Sequence, residues 1–255
     1  MRYSCKNKNS CRCERGKGTS ITTSKTIVLD LLQQGHQDEE TFLQGLTEAE
    51  RTAIGTPELW SSKDHMVHKT YWRRDFVQKL KAILQHQEIR PNEEDEEQLN
   101  SMNFEENRLR PWSEISAESE RLYAELLTLT EQLSEEELTT PGRFPWISGD
   151  RPLYANFLGN LYEHEQEHLV QYYADRHNLT RAIQIREQCA NRIVQADVPE
   201  WIKGWFLYNL ACFYAQQNQL EKAAANLQVA LTLAPELIKK SQNDPDLAVI
   251  RDQSA

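Results

Sequence analysis

Two histidines stand four residues apart in Tyr162-Glu163-His164-Glu165-Gln166-Glu167-His168, and a third, His68, lies far upstream in Asp64-His65-Met66-Val67-His68. On a helix, a spacing of four places both imidazoles on one face, about one turn apart. One helix can thereby offer two nitrogens to a single divalent cation. A third imidazole from a neighbouring helix would leave coordination positions open for water or substrate. Three neutral imidazoles around such an ion lower the pKa of a bound water toward ~7, giving a hydroxide nucleophile or a place to activate a thiolate. Glu163, Glu167 and Asp75 are the acids near enough to assist, with Tyr71 and Tyr172 as hydrogen-bond donors. The competing reading makes His164 and His168 partly buried polar residues, hydrogen-bonded inside a helical core.

The string His164-Glu165-Gln166-Glu167-His168 also satisfies the H-E-x-x-H pattern of zinc proteases, with Glu165 as general base. That frame needs an edge strand to align a peptide, and no strand pattern exists here. Glu165 is therefore expected off the histidine stripe, toward solvent or an outer shell. His65 lies one position off the stripe of Asp64 and His68 and is expected to be exposed. Asp64 falls in a first helical turn, where a carboxylate is stabilised by ~0.3–1 kcal/mol. Trp60, Trp72, Trp112 and Trp146 read as core or lid aromatics, and His36, His86 and His177 have no convergent partners.

The elements that must position these groups are helical. Glycine is scarce (9 of 255 residues) and alternating β-branched runs are absent, so the fold class is all-α. A first helix is expected from about Ser24 to Leu43, and a short capped turn follows at Leu46–Arg51. A second long helix begins at Ser61, where Ser61-x-x-Asp64 is a capping-box variant, and fades near Arg90-Pro91. The acidic run 93–97 reads as a solvated loop or frayed helix start. A third helix follows Pro111, with a capped turn at Ser134–Glu137. The Pro- and Gly-rich stretch 140–152 is a loop. A fourth helix, about Leu153 to Arg176, carries Leu153, Phe157, Leu161, His164, His168 and Tyr172 on its inner face. Four such helices suggest a four-helix bundle with a long crossover.

From Gly204 to Leu237, Leu207, Leu210, Ala211, Tyr214, Ala223, Leu227, Ala230 and Pro235 follow the 34-residue tetratricopeptide (TPR) pattern. A half repeat precedes it at Cys189, Ile193 and Ala196. Such repeats seldom stand alone, so this piece is expected to dock on the bundle or on another chain. The domain reading is a disordered basic tail over 1–20, a bundle over 21–177 and a TPR-like extension over 178–255.

The segment Trp60-Ser61-Ser62-Lys63-Asp64-x-x-x-His68-x-x-x-Trp72 resembles the second-helix motif of DinB-like bundles of the ClbS/DfsB (DUF1706) type. Asn103…Glu106-Asn107-Arg108…Trp112-Ser113-Glu114 resembles that group's third-helix entry, and Tyr162-Glu163-His164…His168 its fourth helix. The resemblance covers roughly residues 22–176. It implies a bundle of up-down-down-up topology in which His68, His164 and His168 hold a divalent metal, zinc or nickel. It also implies action on, or protection against, a reactive small molecule, by a metal-dependent hydrolase or thiol transferase. A non-catalytic sequestration protein with a protein-binding repeat is the alternative.

Composition limits the partners. The net charge of −10 argues against nucleic acid, and no apolar run approaches the ~20 residues that cross a bilayer. A mean hydropathy of −0.72 fits a soluble chain, and the absence of a secretory signal points to the cytoplasm. Of the 5 cysteines, Cys189 and Cys212 sit in helical patterns as small buried side chains. Cys5, Cys11 and Cys13 are too loosely spaced to make a strong zinc motif. The partners expected are a small-molecule ligand, a protein held by the repeat, and a second copy of the chain.

Overall fold

The computed structural model describes residues 23–89 and 95–253. The tail 1–20 with Cys5, Cys11 and Cys13 lies outside the described residues, as does the start of the acidic run. Helix α1, Ser24–Gly45, is capped by Thr23, whose hydroxyl accepts the Thr26 N–H, and buries Ile27, Val28, Leu31, Leu32 and Phe42. Helix α2, Glu48–Thr52, starts with a Thr47–Glu50 capping box. Helix α3, Ser62–Leu84, starts with a Ser61–Asp64 capping box, as the spacing predicts. Helix α4, Glu96–Asn107, settles the described part of the acidic run as a helix start, one of the two readings open for it. Its only apolar signals are Leu99, Met102 and Phe104, too few to mark a helix, yet Leu99, Asn103 and Phe104 are buried against α3.

Helix α5, Trp112–Gln132, and the short α6, Glu135–Thr139, capped by Ser134, follow where the periodicity places them. Helix α7, Leu153–Asn156, continues without a break through a π-helical stretch, Phe157–Glu163, into α8, His164–Ala174. Among the described residues there is no strand, only an isolated bridge between Thr56 and Leu59. No described helix is long and apolar enough to cross a membrane.

Side-chain register gives the topology. The α8 amide of Gln166 meets the Gly35 carbonyl at 3.5 Å and Tyr172 meets Phe42, so α1 and α8 run parallel. Between α3 and α8 the pairs are His65–His168, His68–His164 and Phe76–Phe157, an antiparallel match. Arg74–Glu118 and Lys81–Glu125 make α3 and α5 parallel. The bundle is up-down-down-up. Because α4 covers the outer side of α3, all ten residues from Ser61 to Thr70 are buried. An element enclosed all round has no polar face to give to water.

Beyond α8 the chain turns at His177, in the left-handed region at φ 58°. Helices α9 (Leu179–Gln195), α10 (Glu200–Gln216) and α11 (Leu220–Leu233) follow, then the short α12 (Ile238–Ser241) and α13 (Ala248–Gln253). α10 and α11 form a close hairpin. A Cβ added at Gly204 would stand 2.6 Å from the Ala234 Cβ and 3.0 Å from the Ala230 carbonyl, a gap that only glycine fills. This extension docks on the bundle: Cys189, Ile193, Val198, Ile202 and Phe206 share one core with Leu158, Leu161 and Tyr162. Arg192 pairs with Asp38 across the same seam, 3.1 Å from Nη2 to Oδ1. Cys189 and Cys212 are both buried, and burial pushes both thiols up, Cys212 to about 12.

Candidate metal centre

The start of α3 is tied to the loop before it. One Asp64 carboxylate oxygen accepts from the Ser61 N–H (2.8 Å), the Ser61 hydroxyl (2.6 Å) and the Gly55 N–H (2.9 Å). A Cβ at Gly55 would press to 2.5 Å from the Ser61 nitrogen, so the loop can close onto the cap only with glycine there. Asp64 is thus a cap, as its position in the first turn implies. The closed loop delivers Trp60, whose carbonyl also accepts from Arg176 at 3.0 Å. The indole lies parallel to the His168 ring, 6.0 Å between centroids and 11° between planes, and contacts His65 and His68.

Under that indole the three histidines converge. His164 Nε2 lies 3.1 Å from His68 Nε2 and 3.0 Å from His168 Nε2, and one ligand nitrogen from each of the three lies within 4.8 Å of the others. Two nitrogens each bound to one ion at 2.0–2.1 Å stand ~2.9–3.4 Å apart for angles of ~90–110°. The observed spacings fall in that range. Hydrogen bonding alone satisfies the cluster poorly, because His164 Nε2 carries either one proton or one lone pair and faces two ring nitrogens. The outward nitrogens agree with ligation. His68 Nδ1 and His65 Nε2 are buried with no hydrogen-bond partner, each ring being flanked by aromatics. An aromatic face weakly accepts an N–H and repels a lone pair. A proton on His68 Nδ1 would leave His68 Nε2 bare and facing the cluster. The three residues fit a divalent ion.

The π-helical stretch sits immediately before His164, and such widened turns recur at functional sites. It exposes Gly159 and Asn160 to a cavity of about 470 Å³ that His68 and His164 also line. Trp72, Phe76 and Trp146 form its apolar wall, and Asp75, Lys79, Glu96 and Glu167 its charged rim. Residues 31–172 match the profile of the DinB superfamily, more than half of the 255-residue chain. The chain belongs to the DinB superfamily. Among curated proteins and among solved structures, nothing matches it. Metal-binding helical bundles are frequent in the DinB superfamily, and the cluster of His68, His164 and His168 could hold an ion.

Two expectations about neighbouring residues, for His65 and His36, are overturned, and of the two placements open to Glu165 the structure excludes solvent. His65 is buried, not exposed, with Nδ1 3.0 Å from His168 Nδ1. Glu165 does not reach solvent: its carboxylate accepts from Arg73 Nη2 at 2.6 Å and Nε at 3.0 Å. Arg73, fully buried, also donates to the Ser119 hydroxyl at 2.8 Å and meets Glu39, which pairs with the buried Lys69. Two cations and two carboxylates cancel one rung below the imidazoles. His36, read as having no partners, stacks on Tyr123 at 3.8 Å and faces Glu39, Glu40 and Glu120. Of the assisting acids, Asp75 and Glu167 line the cavity. Glu163 instead turns toward Arg186 (3.2 Å) and Asn209 (3.0 Å) in the extension, and Tyr172 packs on His65 and under Arg176.

Burial holds all four clustered imidazoles below their ordinary range, His65 and His68 at about 3. They are neutral at pH 7, as ligation requires. Unfolded histidines take up protons near pH ~6.5, whereas the folded ones resist protonation until far lower pH. Stability is therefore fully present above ~6.5 and is lost as pH falls toward 3. Glu163 works the other way, since burial pushes its carboxyl up to about 7 against the pull of Arg186. It is one group against four. Urea titration of metal-free protein should give a lower midpoint at about pH 5 than at about pH 7; an equal or higher midpoint at the acid end would contradict this.

Proposed function

We propose that this DinB superfamily member is a divalent-metal-dependent enzyme of hydrolase or thiol-transferase type that acts on, or detoxifies, a reactive small molecule. The observation that carries the reading is the meeting of three imidazole nitrogens from two helices at the wall of a 470 Å³ cavity. His68, His164 and His168 would hold zinc or nickel, and the ion would supply Lewis acidity toward an oxygen or sulfur of the substrate. The chain's own residues do the rest. Trp60 roofs the cluster and limits water around it. Trp72, Phe76 and Trp146 offer apolar surface to a ligand. The Asp75 carboxylate, held by Lys79 at 2.5 Å, and the Glu167 carboxylate, held by Arg186 at 3.0 Å, can take up or return a proton at the cavity edge.

Elemental analysis of purified protein tests the reading: about one divalent ion per chain is expected, and folded protein that neither carries nor binds zinc or nickel would end it. Turnover separates the enzyme from the sequestration alternative, because a binder protects only up to its own molar amount. We also read α10 and α11 as a tetratricopeptide unit that engages a protein partner. Its support is the hairpin packing at Gly204 against Ala230 and Ala234, together with the spacing of its small residues.

A further inference from the structure

We propose that His65 is a positioning residue that holds His168 in the tautomer carrying its proton on Nδ1, so that the Nε2 lone pair faces the metal. This rests on the metal reading above for its purpose, but the proton position can be measured without any metal. The contact is direct, 3.0 Å from His65 Nδ1 to His168 Nδ1, and both rings are buried. Neutral imidazoles carry one N–H and one lone pair, so one partner must donate and the other accept. If His65 donated, His168 would carry its proton on Nε2, aimed at His164 Nε2 3.0 Å away and blocking ligation.

The surroundings of His65 choose between the two. Its far nitrogen, Nε2, is buried without a hydrogen-bond partner, and Trp60 and Tyr172 pack T-shaped against this ring, at 65° and 73° between planes. An N–H is accommodated by such π systems, whereas a bare lone pair is not. With its proton on Nε2, His65 accepts through Nδ1, and His168 must donate. Outer partners of this kind fix a ligand's ring orientation and raise its basicity, and their loss costs ~10–100-fold in metal affinity. His65 was invisible as a functional candidate because it stands one position off the stripe of Asp64 and His68, on a face that periodicity assigns to solvent.

The test uses the full chain with ¹⁵N-labelled histidine. Two-bond ¹H–¹⁵N spectra of metal-free protein, with His168 assigned by its absence in His168→Asn, should show His168 as the Nδ1–H form. His65→Phe keeps the ring packing against Trp60 and Tyr172 but removes the acceptor. It should shift His168 toward the Nε2–H form and weaken Zn²⁺ binding by ~10–100-fold in competition with a chromophoric chelator. His65→Asn places a carbonyl oxygen where Nδ1 stood and should restore both readouts to near wild type. Wild-type Zn²⁺ affinity in His65→Phe, equal weakness in both variants, or an Nε2–H His168 in the wild type would each overturn the proposal. If the wild type binds no Zn²⁺ the metal reading fails, and the tautomer spectrum alone then decides for or against His65. Should His65→Phe not fold, the wild-type spectrum and the Asn variant still decide.

Discussion

Replacing Arg73 by methionine is expected to cost about 3–5 kcal/mol of stability. Arg73 is the largest fully buried side chain, and its guanidinium sits between Glu165 and Glu39 with Ser119 capping one end. Methionine fills a similar volume, so the loss is electrostatic and not a matter of cavity formation. Two carboxylates then face only Lys69, and one negative charge is left uncovered where no water reaches. The loss is a large share of the ~5–15 kcal/mol that holds a domain folded. The double substitution Arg73→Met with Glu165→Met removes an ion pair whole and leaves Lys69–Glu39 balanced, so most of the loss should be recovered. Equilibrium urea unfolding of the single and double variants measures this coupling. A single variant within about 1 kcal/mol of wild type would mean that the buried charges do not depend on one another.

His164→Ala should abolish stoichiometric metal while sparing the fold. His164 Nε2 lies close to both other ligand nitrogens, 3.1 Å from His68 Nε2 and 3.0 Å from His168 Nε2. Its loss should weaken Zn²⁺ binding by more than the ~10–100-fold expected for an outer partner. The side chain is only partly covered at the cavity mouth, so the void opens to solvent and little stability is lost. Isothermal titration with Zn²⁺ and a thermal melt on the same sample read both effects. Unchanged metal content in His164→Ala would show that the ion, if present, sits elsewhere.

The bundle was legible because α1, α3, α5 and α8 each carry long inward stripes and two of their starts are marked by Ser or Thr caps, Thr23 and Ser61. The three ligand candidates were legible for the same reason, since His164 and His168 share the stripe of Leu161 and Tyr172. What periodicity could not show was enclosure. It assumes one buried face per helix, and at Ser61–Thr70 every face is buried. His65, Lys69 and Arg73 were therefore unreadable as interior groups, and so was Glu165 on the facing helix. Helix α4, the element that closes that side, has few apolar residues and works partly through polar ties, with Trp72 Nε1 donating to Asn100 at 3.0 Å and Lys63 to the Arg108 carbonyl at 2.7 Å. Polar ties leave no periodic trace. The π-helical stretch is equally silent, because Phe157 and Leu161 keep a spacing of four whether or not the turn between them is widened.

The seam between bundle and extension governs how the chain can be dissected. A fragment stopping at residue 177 would strip Phe206, Ile202 and Ile193 from Tyr162 and Leu158, uncovering greasy surface that invites aggregation. It would also strand Glu163, the residue just before His164, without Arg186 or Asn209. Poor solubility or absent metal in such a fragment would therefore report a stripped flank and say nothing about chemistry.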